Sequence, residues 1–490
     1  MTATYVSPPE APDTSAMKRL LPWLVAVAFF MESLDTTILN TAVPAIASAL
    51  QVAPLSMKAV LSSYTLSVAV FVPISGWLAD RYGTRRVFFA AIALFTLGSL
   101  LCGLSTDIHT LVACRVLQGL GGAMMVPVGR LTMVRTFAKS ELVKSMSFVA
   151  IPSLIGPMLG PVAGGFIVHY LHWRAIFFVN LPIGVLGMVL VWRNLPDYRA
   201  VDTARTDPLD WVGLVLFSSG VALLSYVLEV FGEHTLSGRE MLALLGMSMA
   251  LLAGYGRHAV TTARPLLRLV LLRIRTFRVA VSGSFVTRLG AGGMPFLLPL
   301  LYQIGMGYTP VQAALLIVPQ PLAAMSLKMT VPHILSRFGY RRVLLWNTLL
   351  MGSLIMAFAA IGPGTPAWQI VLQGFMFGFC SSLQYSSMNT LVYADVPDSD
   401  ASMASTMSST TQQMSMSFGV ATASLVTAIF IPDRFHSDAS QLIHGIHLAF
   451  FALGALTILS ALVFAELRRD DGANVSRKAE RADDRDAPVA

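Results

Sequence analysis

The chain has 490 residues, of which 55% are hydrophobic and only 12% charged. Soluble domains carry about 25% charged residues, so this chain cannot cover its surface in water and reads as an integral membrane protein. Its net charge of +8 does not point to nucleic acid, because the arginines lie between apolar runs instead of on one basic face.

In chain order, the first sixteen residues are polar, with Pro8 and Pro9 and no basic start. They predict a disordered tail over 1–17 and no cleavable signal peptide. A spanning helix needs about 20 mostly apolar residues. Fourteen stretches fit: 20–43, 57–79, 87–105, 109–130, 145–170, 174–194, 209–230, 240–257, 277–303, 311–334, 342–361, 367–393, 407–431 and 443–466. One set of intervening loops is basic, with Lys18 and Arg19, Arg81 to Arg86, Arg135 to Lys144, Arg193 to Arg205, Arg257 to Arg278, Arg337 to Arg342, and Arg468 and Arg469. The alternate loops hold little beyond Lys58, Arg174, Arg239 and Arg434. Basic loops resist translocation, so both termini are expected in the cytoplasm.

Leu78-Ala-Asp-Arg-Tyr-Gly-Thr-Arg-Arg-Val87 has an echo in Ile334-Leu-Ser-Arg-Phe-Gly-Tyr-Arg-Arg-Val343. Val116-Leu-Gln-Gly119 and Val371-Leu-Gln-Gly374 repeat at nearly the same offset. The chain therefore reads as duplicated, with six-helix bundles at 18–197 and 277–468 and an inserted helix pair at 198–260. Parallel halves of this kind are a recurring secondary-transporter plan. The segment 261–276 is a basic, leucine-rich cytoplasmic linker, either an amphipathic interfacial helix or a solvated loop, and 469–490 is a charged, disordered tail. Cys102, Cys114 and Cys380 lie in apolar stretches, so no disulfide framework is indicated. His169, His172, His436, His444 and His447 have no accompanying acid or cysteine cluster, and no phosphate-binding Gly-Lys-Ser/Thr loop is present. No enzyme activity, metal or cofactor is expected.

Four motifs carry a family resemblance. They are Leu34-Asp-Thr-Thr-Ile-Leu-Asn40 with Val43-Pro44; the loop residues Gly76, Asp80, Arg81, Gly83, Arg85 and Arg86; Arg115-Val-Leu-Gln-Gly119 with Gly121, Gly122 and Ala123; and Gly156, Pro157, Gly160, Pro161, Gly164 and Gly165, followed by Trp173-Arg174, Phe177 and Asn180-Leu-Pro182. Together they resemble the major facilitator superfamily, specifically its fourteen-helix drug:proton antiporter family of the EmrB/QacA type. The resemblance implies an all-α fold and a proton-coupled exporter of hydrophobic or amphiphilic drugs in a bacterial inner membrane. The rival within transport is an exporter of one physiological compound, such as an amino-acid derivative, a siderophore or a lipid. The implied partners are amphiphilic small molecules, protons and the bilayer, with a monomer expected and a periplasmic adaptor not readable.

A charge inside the bilayer is a functional candidate by default. At about 1.5 Å per residue, Glu32, Asp35, Arg115 and Arg288 reach one level, just past the midplane. Burial raises a carboxylate's affinity for protons and a nearby arginine lowers it, which suits proton exchange. The alternative is a static ion-pair network. The resemblance implies Asp35 as principal proton carrier and Arg115 as its partner, with Glu32 a second acid one turn away. Arg288 is either a substrate contact or half of an ion pair between the bundles. Gly156, Gly160 and Gly164 recur at small-xxx-small spacing beside Pro157 and Pro161. They predict a close-packed, kinked seam, which the resemblance reads as a barrier to proton leak. The Asp80 loop is expected to latch the N-terminal helices to a C-terminal helix end, or only to set topology. The expected cavity holds Arg288, Asn40, Gln118, Phe30, Tyr302, Gln384 and Met124, with further methionines such as Met294, Met388, Met414 and Met416 available to repack.

Overall fold

The computed structural model describes residues 14–137, 139–195, 197, 209–230, 237–327, 330–397, 400–430 and 439–472. The outer parts of both expected tails, all of 198–208, and Arg434 and His436 lie outside the described residues. Every regular element among the described residues is helical.

The N-terminal bundle opens with α1 (Thr14–Ala49), which begins inside the expected tail. α2 (Lys58–Phe71) passes through a 3-10 turn at Pro73 into α3 (Ser75–Tyr82). α4 (Thr84–Leu104), α5 (Ile108–Thr136), α6 (Lys139–Tyr170), the short α7 (Ala175–Phe178) and α8 (Asn180–Asn194) complete it. Proline tightens the α2–α3 rod because it lacks the backbone donor an α-helix needs. Gly83, between α3 and α4, has φ +92°, and its counterpart Gly339 has φ +73°. Both echoed turns thus use the conformation that favours glycine.

α9 (Trp211–Val230) and α10 (Gly238–Thr261) form the inserted pair. In the C-terminal bundle α11 (Arg275–Ala291) leads through Gly292 and Gly293 into α12 (Met294–Leu300) and a π turn. α13 (Pro310–Ile317) and α14 (Pro319–Leu327) make one broken rod. α15 (Val331–Phe338), α16 (Tyr340–Ala357), α17 (Ala367–Leu391), α18 (Ala401–Phe430), α19 (Ala439–Leu459) and α20 (Ala461–Ala465) follow. Helix occupies each of the fourteen expected stretches. Ten described segments are long and apolar enough to cross a membrane. Neither α17 nor α18 is among those ten: they carry no charge but are rich in Ser, Thr and Gln.

The linker departs from the expected interfacial helix. Pro265 interrupts it, and only a 3-10 turn forms at Leu269–Arg273. Leu266, Leu267 and Leu271 are buried in an apolar cluster with Phe217 of α9 and Tyr255 of α10. Its arginines are tied down, Arg268 to Asp400 and Arg275 to Asp471.

Three apolar clusters hold the bundles. At the end away from the basic turns, one cluster joins the halves, with Ile38, Val43 and Trp173 packed together with Leu297, Tyr302 and Phe450. Toward the basic turns the cores separate. One lies within the N-terminal half, around Phe88, Met125 and Leu195. The other unites the C-terminal half with the inserted pair, and Ile74 is its only buried N-terminal member. The halves are therefore welded at one end and divided at the other, except along the flank where α2 runs beside α18.

Candidate functional site

Asp35 sits midway along α1 at 1% exposure, and Arg115 of α5 is equally buried. Arg115 Nη1 donates to Asp35 Oδ2 at 2.6 Å and to Gln118 Oε1 at 2.7 Å. The other carboxylate oxygen accepts from Gln118 Nε2 at 2.8 Å and from Asn180 Nδ2 at 2.9 Å. Asn180 reaches Ser99 on α4 at 3.0 Å, and Ser99 donates to Phe177 O at 2.8 Å. The Arg115 guanidinium lies 4.4 Å from the ring centroid of Tyr64 on α2. One buried acid is thus bonded from α5 and α8, and its cation rests on an aromatic face, which stabilises a desolvated cation. Charge-assisted bonds of this length are the strong kind, and a buried pair leaves a costly orphan when either member is removed.

Glu32, one turn earlier on α1, is only half-buried and has no hydrogen-bond or ion-pair partner among the described residues. The two acids therefore differ: Asp35 is fully engaged and Glu32 is free to gain or lose a partner.

The other face of α1 borders a cavity of about 450 Å³ between the halves. Thr37, Asn40 and Thr41 of α1, Pro157 and Pro161 of α6, Arg288 of α11, and Gln320, Tyr385, Asn389 and Met416 from the C-terminal half contribute to its wall. Arg288 is 8% exposed and stacks 3.9 Å from the Tyr385 ring centroid. Its Nε donates to Ser284 Oγ at 3.2 Å, and its Nη1 approaches Met416 Sδ at 3.8 Å.

Sequence reasoning placed Arg288, Asn40 and Met416 at the cavity, and there they are. Gln118 is instead bonded to Asp35 and Arg115. Gln384 is buried in the C-terminal bundle, where it donates to Thr348 and accepts from Asn347. Tyr302 lies in the shared end core and Met124 in the N-terminal core. Phe30 is half-buried and is not among the cavity's lining residues. No acid faces Arg288, so the expected ion pair between the bundles is absent among the described residues. Asp35 is not among the residues lining this cavity either. Asn180, Ser99 and Tyr385, which contact Asp35, Asn180 and Arg288 respectively, could not be flagged by charge counting, because isolated uncharged polar residues are common in helix packing. Asn180 was visible only as part of the Asn180-Leu-Pro182 motif.

The glycine seam is built as its spacing suggested. Gly156, Gly160 and Gly164 face Ser33, Thr37 and Thr41 of α1, while Gly165 meets Pro310 and Ala314 of α13. Thr37 Oγ1 donates across the seam to Gly156 O at 3.3 Å, and Thr41 Oγ1 to Pro161 O at 3.4 Å.

Among the described residues, the charged side chains of the Asp80 loop pair within the N-terminal half and not with the C-terminal half. Asp80 pairs with Arg135 at the end of α5. Arg86 lies 4.0 Å from Asp197. Arg81 stacks over Trp77 and Arg85 over Trp192. Each of these partners belongs to the N-terminal half. Gly76 has open space beside it. The echoed copy has Ser336 in place of the acid; beside that turn, Asp471 from beyond α20 bonds Arg275 at the start of α11 at 2.6 and 3.0 Å.

With this geometry in view, comparison with known proteins is direct. A family model described as Major Facilitator Superfamily matches residues 25–420. A protein of Klebsiella pneumoniae (strain 342) named "Putative multidrug resistance protein MdtD" is 41% identical over 464 residues, covering 94% of this chain and 97% of that protein. Its namesake in Serratia proteamaculans (strain 568) is 41% identical over 453 residues, covering 92% and 94% respectively. Among solved structures, a bacterial homolog of the human lysosomal transporter Spinster, inward-facing and unoccupied, aligns with TM-score 0.66 at 12% identity, over 95% of this chain and 99% of that one. A D-xylose–proton symporter aligns with TM-score 0.64 at 13% identity, over 93% and 99%. At those identities the solved structures speak for the fold alone.

Proposed function

The chain belongs to the major facilitator superfamily, and from that membership we propose that it is a proton-coupled antiporter exporting hydrophobic or amphiphilic compounds from the cytoplasm by alternating access. Membership makes it a multi-pass membrane transporter, not an enzyme. The relatives' multidrug-resistance name agrees with efflux as the direction of transport. The basic turns face the cytoplasm of a bacterial inner membrane under this reading, so the divided end of the bundle is the inward one and the cavity opens inward.

One observation carries the proton-coupling part. A carboxylate–guanidinium pair is sealed midway along α1, on the opposite side of that helix from the cavity. Protonating Asp35 cancels its charge and frees Arg115 to shift toward Tyr64, while the same helix carries Thr37, Asn40 and Thr41 into the cavity. Proton and substrate therefore compete through α1, without contact. Glu32 supplies a second, unpaired acid on the same helix.

Purified protein in proteoliposomes with an imposed pH gradient tests this. Asp35→Asn keeps the side chain's shape and abolishes gradient-driven exchange, while the variant still folds and binds substrate. Wild-type coupling in Asp35→Asn would remove that residue from the mechanism.

A further inference from the structure

The cavity has a one-sided charge. Arg288 is its single charged lining residue, and neither Asp nor Glu contributes to the wall among the described residues. The surroundings of Arg288 are neutral: the Tyr385 ring at 3.9 Å, the Ser284 hydroxyl at 3.2 Å and the Met416 sulfur at 3.8 Å. Asp35 cannot supply the missing negative charge, since Arg115, Gln118 and Asn180 occupy its oxygens on the far side of α1. A buried cation without an anion is costly to hold, and a ring face offsets only part of that cost. The remaining polar wall is uncharged, with Asn40, Gln320 and Asn389 available to hydrogen-bond a ligand. Gln320 Nε2 is itself buried without a partner.

We infer that this cavity takes amphiphiles with a carboxylate head group, held by the Arg288 guanidinium, with the apolar body against Leu298, Ile317 and Phe377. A guanidinium offers two parallel donors that match a carboxylate. A lipophilic cation would meet a like charge in a low-dielectric site and leave Arg288 unpaired. The inference rests on the export reading above and narrows its substrate class.

The test is calorimetric titration of the purified full-length protein at neutral pH with 1-naphthaleneacetate, 1-naphthaleneacetamide and (1-naphthylmethyl)trimethylammonium. These probes share a ring system and differ in head-group charge. The acetate is expected to bind at least about ten-fold more tightly than the cation, a difference of about 1.4 kcal/mol. Arg288→Gln lowers acetate affinity about ten-fold and leaves the amide unchanged, while Arg288→Lys loses only part of the preference. A wild-type ranking that is flat or favours the cation overturns the inference, as does binding of none of the probes. So does an acetate preference that survives in Arg288→Gln protein melting like wild type. If that variant cannot be purified, the wild-type ranking and Arg288→Lys still decide. Gradient-driven uptake is measured separately. Arg288-dependent acetate binding without gradient dependence would sink proton coupling and leave this inference standing. Gradient-driven export of the cation, indifferent to Arg288, would do the reverse.

Discussion

Asp35 and Asp471 show how one residue type serves different ends according to where it is held. Asp35 is enclosed by α5 and α8, whose Arg115, Gln118 and Asn180 side chains bond both of its carboxylate oxygens. Asp471 lies beyond α20, where it joins the end of the chain to Arg275 and accepts from the Arg468 backbone amide at 2.8 Å. Partial burial pushes its carboxyl up, but the bonds from Arg275 and Arg468 prevail and hold it below the usual carboxylate range. A carboxyl depressed in the folded state contributes stability above its unfolded pKa, about 3.9, and loses it as pH falls through the folded value. Asp471→Asn should therefore melt lower than wild type at neutral pH, and the gap should close as pH drops below about 4. A gap that is constant across that range in thermal-unfolding scans would mean that Asp471 acts by packing and not by charge. The charged residues were legible in the sequence because an ionised group inside an apolar run is rare. Their partners were not: nothing in a linear pattern tells that Asn180 turns toward Asp35 while Gln384 turns away into its own bundle.

At the scale of elements, α1 carries the acid on one face and the cavity on the other, and α6 packs along it. Their seam makes a graded prediction. A Cβ at Gly160 would overlap Thr37 Oγ1 and lie 2.7 Å from Thr37 Cβ, both side-chain atoms, whereas a Cβ at Gly164 would overlap Thr41 Oγ1 and also lie 2.5 Å from the Ile38 backbone oxygen. A side chain can turn aside and a helix backbone cannot. Gly164→Ala should therefore cost about 1–3 kcal/mol and depress transport, and Thr41→Ala should not rescue it. Gly160→Ala should be milder, and Thr37→Ala should restore part of its loss, because alanine removes the hydroxyl and keeps the Cβ. Equal melting temperatures for the two glycine variants would contradict the seam geometry. The glycine spacing itself was legible, since its four-residue period places all three positions on one helix face. So were the helical stretches, whose apolar length is set by the bilayer. Breaks at Pro73, Gly292–Gly293 and Pro319 left the apolar pattern continuous, and in the linker Pro265 overrode a plausible helical period.

At the scale of the whole molecule, the repeated turn was legible, but the arrangement of the halves was not, because a linear pattern does not tell which faces of two bundles meet. Here the end away from the basic turns is closed by a shared core and by hydrogen bonds between the halves. Gln303 Nε2 donates to Thr41 O at 2.9 Å, Ser417 Oγ to Ser62 O at 3.2 Å, and Ser424 Oγ to Leu55 O at 3.4 Å. Under the alternating-access proposal, each of these bonds is lost when that end opens, so each would bias the equilibrium toward the arrangement seen. A single such bond contributes about 1 kcal/mol, which corresponds to about a five-fold change in population. The Gln303 bond is the most direct to remove, since Thr41 O is a helix carbonyl that the substitution leaves without a new clash. Gln303→Ala should raise the population open at that end about five-fold. The readout is labelling of Asn40→Cys, on the cavity wall, by a membrane-impermeant maleimide added from the far side. The background carries Cys114→Ser, which removes the one native thiol that is not buried. Gln373→Ala is the matched control, because Gln373 donates to Leu354 O at 3.3 Å within the C-terminal half alone. It should leave the labelling rate unchanged. If the two glutamine variants label alike, contacts between the halves do not set the balance, and the seal must reside in the apolar core around Ile38, Leu297 and Tyr302.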